Sequence, residues 1–240
     1  MLMVHLVAGF PSLQGFTEAA RALHDGGAEI LEIQIPFSDP TADGPAITLA
    51  SETAIRNGFK VKDIFKYIRA ARNAGFQRIM VMTYANIPYR YGIKKYVIDM
   101  RKASVEGLIV PDLPVEDEEN FYKIAVENNI APLPVGIAGM PEYRRKLLRP
   151  YKKLYISLRS GTTGTDTKIS AETKKFLAEL KDHEVYGGFG ISNAAQVKTL
   201  TPLVHAIVVG SYFTQAIQKA LNQNISIYTN VAKALRKLRP

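Results

Sequence analysis

The stretch Leu31 to Ile47, LEIQIPFSDPTADGPAI, sets two carboxylates in unlike surroundings. Glu32 lies within a run of apolar β-formers, where burial favours the neutral acid. Asp43 lies in a loop punctuated by proline and glycine, where a carboxylate stays ionised. A proton donor beside a fixed anion suits general acid/base catalysis. A buried carboxylate without a role is costly, so Glu32 reads as functional, whereas Asp39 in the same loop reads as a turn former.

The elements that must position these groups alternate regularly. Apolar β-rich runs fall at Met3 to Ala8, Ile30 to Ile35, Ile79 to Thr83, Gly107 to Val110, Ala131 to Val135, Leu154 to Leu158, Val185 to Gly188 and Ala206 to Val209. Helical periodicity occupies Phe16 to Asp25, Lys62 to Asn73, Lys94 to Ala103, Glu116 to Asn128, Pro141 to Arg149, Ala171 to Leu180, Asn193 to Leu200 and a C-terminal pair, Tyr212 to Leu221 and Ile225 to Leu238. Ser12, Ser192 and Ser211 are placed as N-caps, and Gly26-Gly27, Gly58 and Gly75 end helical runs. Strands too apolar for a wet face imply a parallel sheet covered by helices. Eight such units in 240 residues, 47% of them hydrophobic, predict an α/β fold: a single (β/α)8 TIM barrel, one domain spanning 1–240.

In such a barrel the chemistry gathers at the C-terminal ends of the strands. The last two ends, GGFGIS and VVGSYF, pair glycines with helix starts after strands seven and eight, which suits a phosphate group. None of the eight ends carries a lysine for Schiff-base chemistry, since Lys152 and Lys153 lie at the opposite end of their strand. No metal-ligand cluster is apparent: His24 and His183 fall in helix or loop, His205 precedes strand eight, and a lone His5 is a weak ligand signal. The absence of cysteine excludes disulfides, thiolate catalysis and Cys-ligated metals. The expectation is catalysis by Glu32 and Asp43 with no cofactor and no metal.

A net charge of +9 invites a nucleic-acid partner, but the basic residues fall on amphipathic helical faces such as Glu142 to Arg149, with no nucleic-acid-binding motif. Neither a membrane span nor a leader is read in the opening MLMVHLVAGF, so the expected location is the cytoplasm.

The quoted stretch resembles the signature of the tryptophan synthase alpha chain family. The likeness continues through MTYAN at Met82 to Asn86, VPDLPVED at Val110 to Asp117, YISLRSGTTG at Tyr155 to Gly164, GGFGIS at Gly187 to Ser192 and VVGS at Val208 to Ser211. The resemblance implies cofactor-independent retro-aldol cleavage of indole-3-glycerol phosphate to indole and glyceraldehyde 3-phosphate, with indole passed to a beta chain in an α2β2 complex. It implies Glu32 as general acid/base, Asp43 as the acceptor for the indole N–H, and Tyr155 beside Glu32. Indole would lie against Tyr84, Phe189 and His5, and phosphate against Gly164, Gly190, Gly210 and Ser211. Arg159, Gly161 and Thr163 would belong to a lid that closes over the site. Docking to the beta chain would use the Pro36 to Pro45 and Asn86 loops.

This chain departs from the family pattern at three places. Gln34 stands where glycine is usual, on the same strand face as Glu32, and either orients that acid or fills substrate space. His5 replaces a common aromatic, and Phe10 a common acidic residue. The family's frequent N-terminal extra helix is expected to be lacking, because strand one begins almost at once. Two other readings stay open: a weakly catalytic subunit that mainly binds and regulates a beta chain, and a phosphate-binding barrel acting on sugar phosphates.

Overall fold

The computed structural model describes residues 1–158, 169–188 and 190–239. Nine parallel strand segments share one sheet: β1 (Leu2–Val7), β2 (Ile30–Gln34), β3 (Arg78–Met82), β4 (Gly107–Ile109), β5 (Ala131–Pro132), β6 (Val135–Ile137), β7 (Lys153–Ser157), β8 (Glu184–Gly188) and β9 (Ala206–Val209). Their spatial order is β5-β4-β3-β2-β1-β9-β8-β7-β6. Eight strands were expected, and the difference lies in the fifth. Pro132 and Pro134 offer no N–H to a ladder, so the run from Ala131 to Ile137 pairs first with β4 and then with β7. Leu133 N donates to Leu108 O at 2.8 Å, and Tyr155 N donates to Pro134 O at 3.1 Å, which hands the chain from one neighbour to the other. β5 and β6 are thus two halves of one strand position, and the sheet has the eight positions of a TIM barrel.

The helices around it are α1 (Leu13–Asp25), α2 (Pro45–Arg56), α3 (Ile64–Asn73), α4 (Asn86–Tyr91), α5 (Ile93–Lys102), α6 (Phe121–Glu127), α7 (Glu142–Leu148), α8 (Ala171–Glu179), α9 (Ala194–Leu200), α10 (Ser211–Asn222) and α11 (Ile227–Leu238). Two of these, α2 and α4, occupy stretches that sequence reasoning treated as loop. Ser12 caps α1 as expected, accepting from Gly15 N at 3.1 Å. The other two expected serine caps are corrected. Asn193 caps α9 in a reciprocal box with Gln196, and Ser211 is the first residue of α10, behind Gly210. The expected helix from Glu116 also begins late, at Phe121. Its acidic start forms a turn in which the Asp117 carboxylate accepts from Phe121 N at 2.7 Å and Glu119 N at 3.2 Å.

Strand alternation divides the apolar residues into two cores. Leu31, Ile33, Ile79, Val81 and Ile156 point outward and pack with the helices. Met3, Ile30, Met80, Leu133, Tyr186 and Ala206 fill the barrel's middle. Gly188 keeps β8 close to β9, since a Cβ there would stand 2.7 Å from the Val208 Cβ. Above and below the middle layer the inward positions turn polar.

At the N-terminal end of the strands opposite charges meet one another. Arg78 donates from Nε and Nη2 to the two oxygens of Glu106 at 2.8 and 2.7 Å, and its Nη2 also reaches Tyr186 Oη at 3.2 Å. Lys153 pairs with Glu106 and lies 3.8 Å from Glu184, which in turn faces Lys152 at 3.3 Å and His205 at 3.7 Å. The Arg78 hydrogen bonds, aided by Lys153, outweigh burial and hold the Glu106 carboxyl down to about 2 from its ordinary 4.5. A depressed folded value means that Glu106 stabilises the fold above the unfolded value, and that this contribution is lost as pH falls from about 4.5 toward 2. Glu106→Gln is therefore expected to lower unfolding free energy by about 1 to 2 kcal/mol at neutral pH, the partial exposure of the cluster keeping the loss below that of a fully buried pair. Urea melts of both proteins at neutral pH and near pH 3 test this: the gap should narrow in acid, and equal stability at neutral pH would refute it.

Candidate active site

The C-terminal ends of β1 and β2 carry the polar inward residues. Parallel pairing sets His5 beside Glu32 and Val7 beside Gln34. Period-two alternation sends His5, Glu32 and Gln34 into the barrel, above the apolar layer of Met3 and Ile30. All three are buried, Glu32 to 1% and Gln34 to 0% exposure. Glu32, His5, Asp43 and Tyr155 line one cavity at the barrel mouth, with Met82, Ile109, Pro111, Val135, Ile47 and Val208 as its apolar walls. Such a cavity accepts a flat apolar ring against a few convergent polar groups.

Asp43 arrives from the loop before α2. Two side chains rooted in strand ends hold it: Gln34 Nε2 donates to Oδ2 at 2.7 Å, and Tyr84 Oη donates to the same oxygen at 2.9 Å. Tyr84 Oη also accepts from Ala42 N at 3.1 Å, which fixes the loop backbone. Gln34 therefore engages the second carboxylate rather than orienting Glu32. Burial raises the Asp43 carboxyl above its ordinary value, although the charge of His5 and the two donors oppose the rise. The setting differs from the exposed anion expected of a Pro/Gly loop, because that loop folds over the barrel mouth.

Glu32 Oε2 lies 3.4 Å from His5 Nδ1, longer than a charge-assisted hydrogen bond. Burial alone would push the His5 imidazole down, but the charge of Glu32, with help from Asp43 and Gln34, outweighs it and raises the imidazole above 6.5. Among the described residues, one buried atom of each of these three side chains has no hydrogen-bond partner: Glu32 Oε2, His5 Nε2 and Gln34 Oε1. Tyr155 on β7 is buried in the same wall, and burial beside Glu32 and Asp43 keeps its hydroxyl protonated well above 10.

The far end of the cavity is formed by Gly190, Ile191, Gly210 and Ser211. Gly190 takes the left-handed backbone, φ +74°, that a side chain would strain. Gln196, which sequence reasoning passed over, holds this turn. It donates to Gly190 O at 3.2 Å and accepts from Ser192 N at 2.8 Å. Ser211 opens the twelve-residue α10, whose first N–H groups face outward from the helix end. Gly210 lies against His5, the two Cβ positions being 3.4 Å apart were Gly210 to carry one.

The structure thus brings together Glu32, Asp43, Tyr155, His5, Gly190, Gly210 and Ser211. Tyr84 stands apart: it is fully buried, stacks on Phe37 at 5.4 Å between ring centres, and meets the site through its hydroxyl on Asp43. Arg159, Gly161, Thr163, Gly164 and Phe189 lie outside the described residues. Among the described residues no three His, Asp or Glu side chains cluster as metal ligands. None of the described helices is long and apolar enough to cross a membrane.

A sequence model of the tryptophan synthase alpha chain family matches residues 1–239. The tryptophan synthase alpha chain of Helicobacter hepaticus is 34% identical over 234 residues, covering 93% of this chain and 88% of that one. The Streptomyces coelicolor alpha chain is 32% identical over 224 residues, covering 91% and 83%. Among solved structures, the tryptophan synthase α2β2 complex of Pyrococcus furiosus contains a chain that superposes with a TM-score of 0.85 at 29% identity, covering 99% of this chain and 96% of that one. The Mycobacterium tuberculosis tryptophan synthase gives 0.84 at 27%, covering 98% and 92%. With two carboxylates and two glycines lining the mouth of a barrel matched along nearly its whole length, the chain belongs to the tryptophan synthase alpha chain family.

Proposed function

We propose that this chain is a lyase that cleaves indole-3-glycerol phosphate to indole and glyceraldehyde 3-phosphate, using Glu32 and Asp43 on opposite sides of a buried indole, and that it works with a beta chain that takes up the indole. The observation that carries this reading is that two carboxylates, Glu32 and Asp43, line one apolar cavity that Gly190, Gly210 and Ser211 also line. A sugar-phosphate reading would leave the apolar walls and the doubly held Asp43 without a purpose.

The reaction requires a bond to an aromatic carbon to break. Glu32 in its acid form gives its proton to C3 of the indole, and the positive charge spreads to the ring nitrogen. Asp43, held by Gln34 and Tyr84, accepts the hydrogen bond from that N–H and stabilises the charge. The hydroxyl on the adjacent chain carbon then loses its proton to the Glu32 carboxylate. The C–C bond breaks, its electron pair restores the indole, and the aldehyde forms. Acid and base are the same group at successive moments, so the cycle is closed without a cofactor. Tyr155, protonated throughout, fills the wall beside Glu32. The phosphate lies against Gly190, Gly210 and Ser211, where the start of α10 favours an anion. Gly164, Phe189 and a lid containing Arg159, Gly161 and Thr163 complete the site in this reading. The whole chain acts as one domain, and the cytoplasm is its proposed compartment.

Glu32→Gln is expected to lower aldehyde-phosphate release by about 10²- to 10⁴-fold while leaving affinity for an indole-propanol phosphate analogue within a few fold. A coupled dehydrogenase assay with calorimetric binding checks this, and turnover within tenfold of wild type would remove Glu32 from the acid/base role. Asp43→Asn carries a second signature. Because burial raises the folded value of Asp43, its contribution to stability is present below the unfolded value and lost as pH rises through the folded one. The substitution should therefore cut turnover by about 10²- to 10³-fold yet raise the melting temperature near pH 8, with the difference closing in acid. A variant less stable than wild type near pH 8 would contradict the argument.

A further inference from the structure

His5 lies between the acid and the anion cradle. Its Nδ1 edge faces Glu32 Oε2 at 3.4 Å. Its Cβ and Cδ2 lie 3.4 and 3.7 Å from where a Gly210 Cβ would stand, which puts the opposite edge of the ring toward the turn that leads into Ser211. Nε2 is on that side, is buried and has no hydrogen-bond partner among the described residues. The side chain is 6% exposed and lines the same cavity as Glu32, Gly190 and Ser211. An imidazole placed only for packing would not leave a ring nitrogen buried without a partner in a cavity that opens to ligand, because that desolvation is unfavourable. An aromatic contact to the indole would need neither nitrogen.

We propose that His5 is a bridging residue: its Nδ1 lies against the Glu32 carboxyl and its Nε2–H donates a hydrogen bond to an oxygen of the substrate's three-carbon phosphate chain, so that binding of the chain fixes the acid. No proton is transferred from His5 in the cycle. The role rests on the lyase reading above and assigns to His5 the end of the substrate that is not indole. With Glu32 in its acid form the Nε2–H tautomer serves both contacts, Nδ1 accepting from the carboxyl and Nε2 donating to the substrate. The groups facing it are Glu32 and Gln34 from β2, Asp43 from the loop before α2, Tyr155 across the cavity on β7, and Ser211 at the start of α10. Of these only the two carboxylates and Tyr155 titrate, and Tyr155 does so far above the imidazole.

Three variants separate the two edges of the ring. His5→Phe should lower kcat/KM by about 10- to 100-fold, through loss of hydrogen bonds to charged groups, and should weaken binding of glycerol 3-phosphate. His5→Gln, whose amide reaches the Nε2 position, should restore affinity for glycerol 3-phosphate. His5→Asn, whose amide reaches only the Nδ1 position, should not. Affinity for indole alone should stay unchanged in all three. Circular dichroism and melting report whether each variant folds, and a measurement on wild type stands independently of them. The His5 Nε2 resonance of ¹⁵N-histidine-labelled protein should move on addition of glycerol 3-phosphate and stay still on addition of indole. An unmoved resonance, or an unchanged affinity for glycerol 3-phosphate in a folded His5→Phe protein, overturns the proposal. Absence of wild-type turnover even with a beta chain would instead overturn the lyase reading, and the resonance titration is legible in either case.

Discussion

The parallel register between β1 and β2 is the constraint on which the site depends. It makes His5 the neighbour of Glu32 and sets Met3 beside Ile30 one layer below. Because side chains alternate with a period of two, a slip of one residue would send Leu31 and Ile33 into the cavity and bury Glu32 against the helices, where nothing could pair with it. The outer apolar residues therefore secure the chemistry as firmly as they secure the fold. The position of the acid is a by-product of the same burial that stabilises the sheet.

Asp43 shows how a loop residue acquires the precision of a strand residue. Its own segment contains prolines and glycine and could adopt many shapes, but Gln34 and Tyr84 both grip one oxygen of its carboxylate and both are fully buried. Side chains packed at 0% exposure have few rotamers left, so they transfer the rigidity of the barrel to the loop. Tyr84 adds a second tie through Ala42 N. The burial that supplies this rigidity also raises the Asp43 carboxyl, and the donors that fix its position are the same ones that oppose the rise. Position and charge are thus set by one pair of contacts.

Much of this was legible in the sequence, and the parts that were not share a physical cause. Alternation of apolar runs with helical stretches located the strand positions, and Glu32 was singled out by its place in one of them. The glycines at Gly190 and Gly210 were read from their position after the last two strands, and they line the cavity. The split of the fifth strand follows from Pro132 and Pro134, whose missing N–H groups were visible but not weighed. The partner of Gln34 was not visible: alternation gives the face a side chain points to, while its contact with Asp43 depends on how a loop folds back across the barrel. The helix α2 was obscured because its start, Gly44 and Pro45, sits inside a motif that looks like turn chemistry. Asn193 rather than Ser192 became the cap of α9 because Gln196 lies three residues on and completes the reciprocal box.

The two ends of the barrel give the strongest argument for where function resides. The same strands place polar groups inward at both ends, so polarity inside a barrel is not by itself a sign of chemistry. At the N-terminal end, Arg78, Glu106, Lys153 and Glu184 form a chain of alternating charges whose members meet one another, with His205 Nε2 beside Glu184 but without a hydrogen-bond partner among the described residues. At the C-terminal end, Glu32, His5 and Gln34 each keep a buried atom with no partner, although potential partners stand close by. Burying such atoms opposes folding by about 1 to 3 kcal/mol each, and a set of three on two adjacent strands persists only where the surrounding packing over-determines their positions. The difference lies in what the polar groups face: opposite charges meet one another at the N-terminal end, whereas Glu32 and His5 face a cavity that Asp43, Gly190 and Ser211 also line, which is where the proposed chemistry belongs.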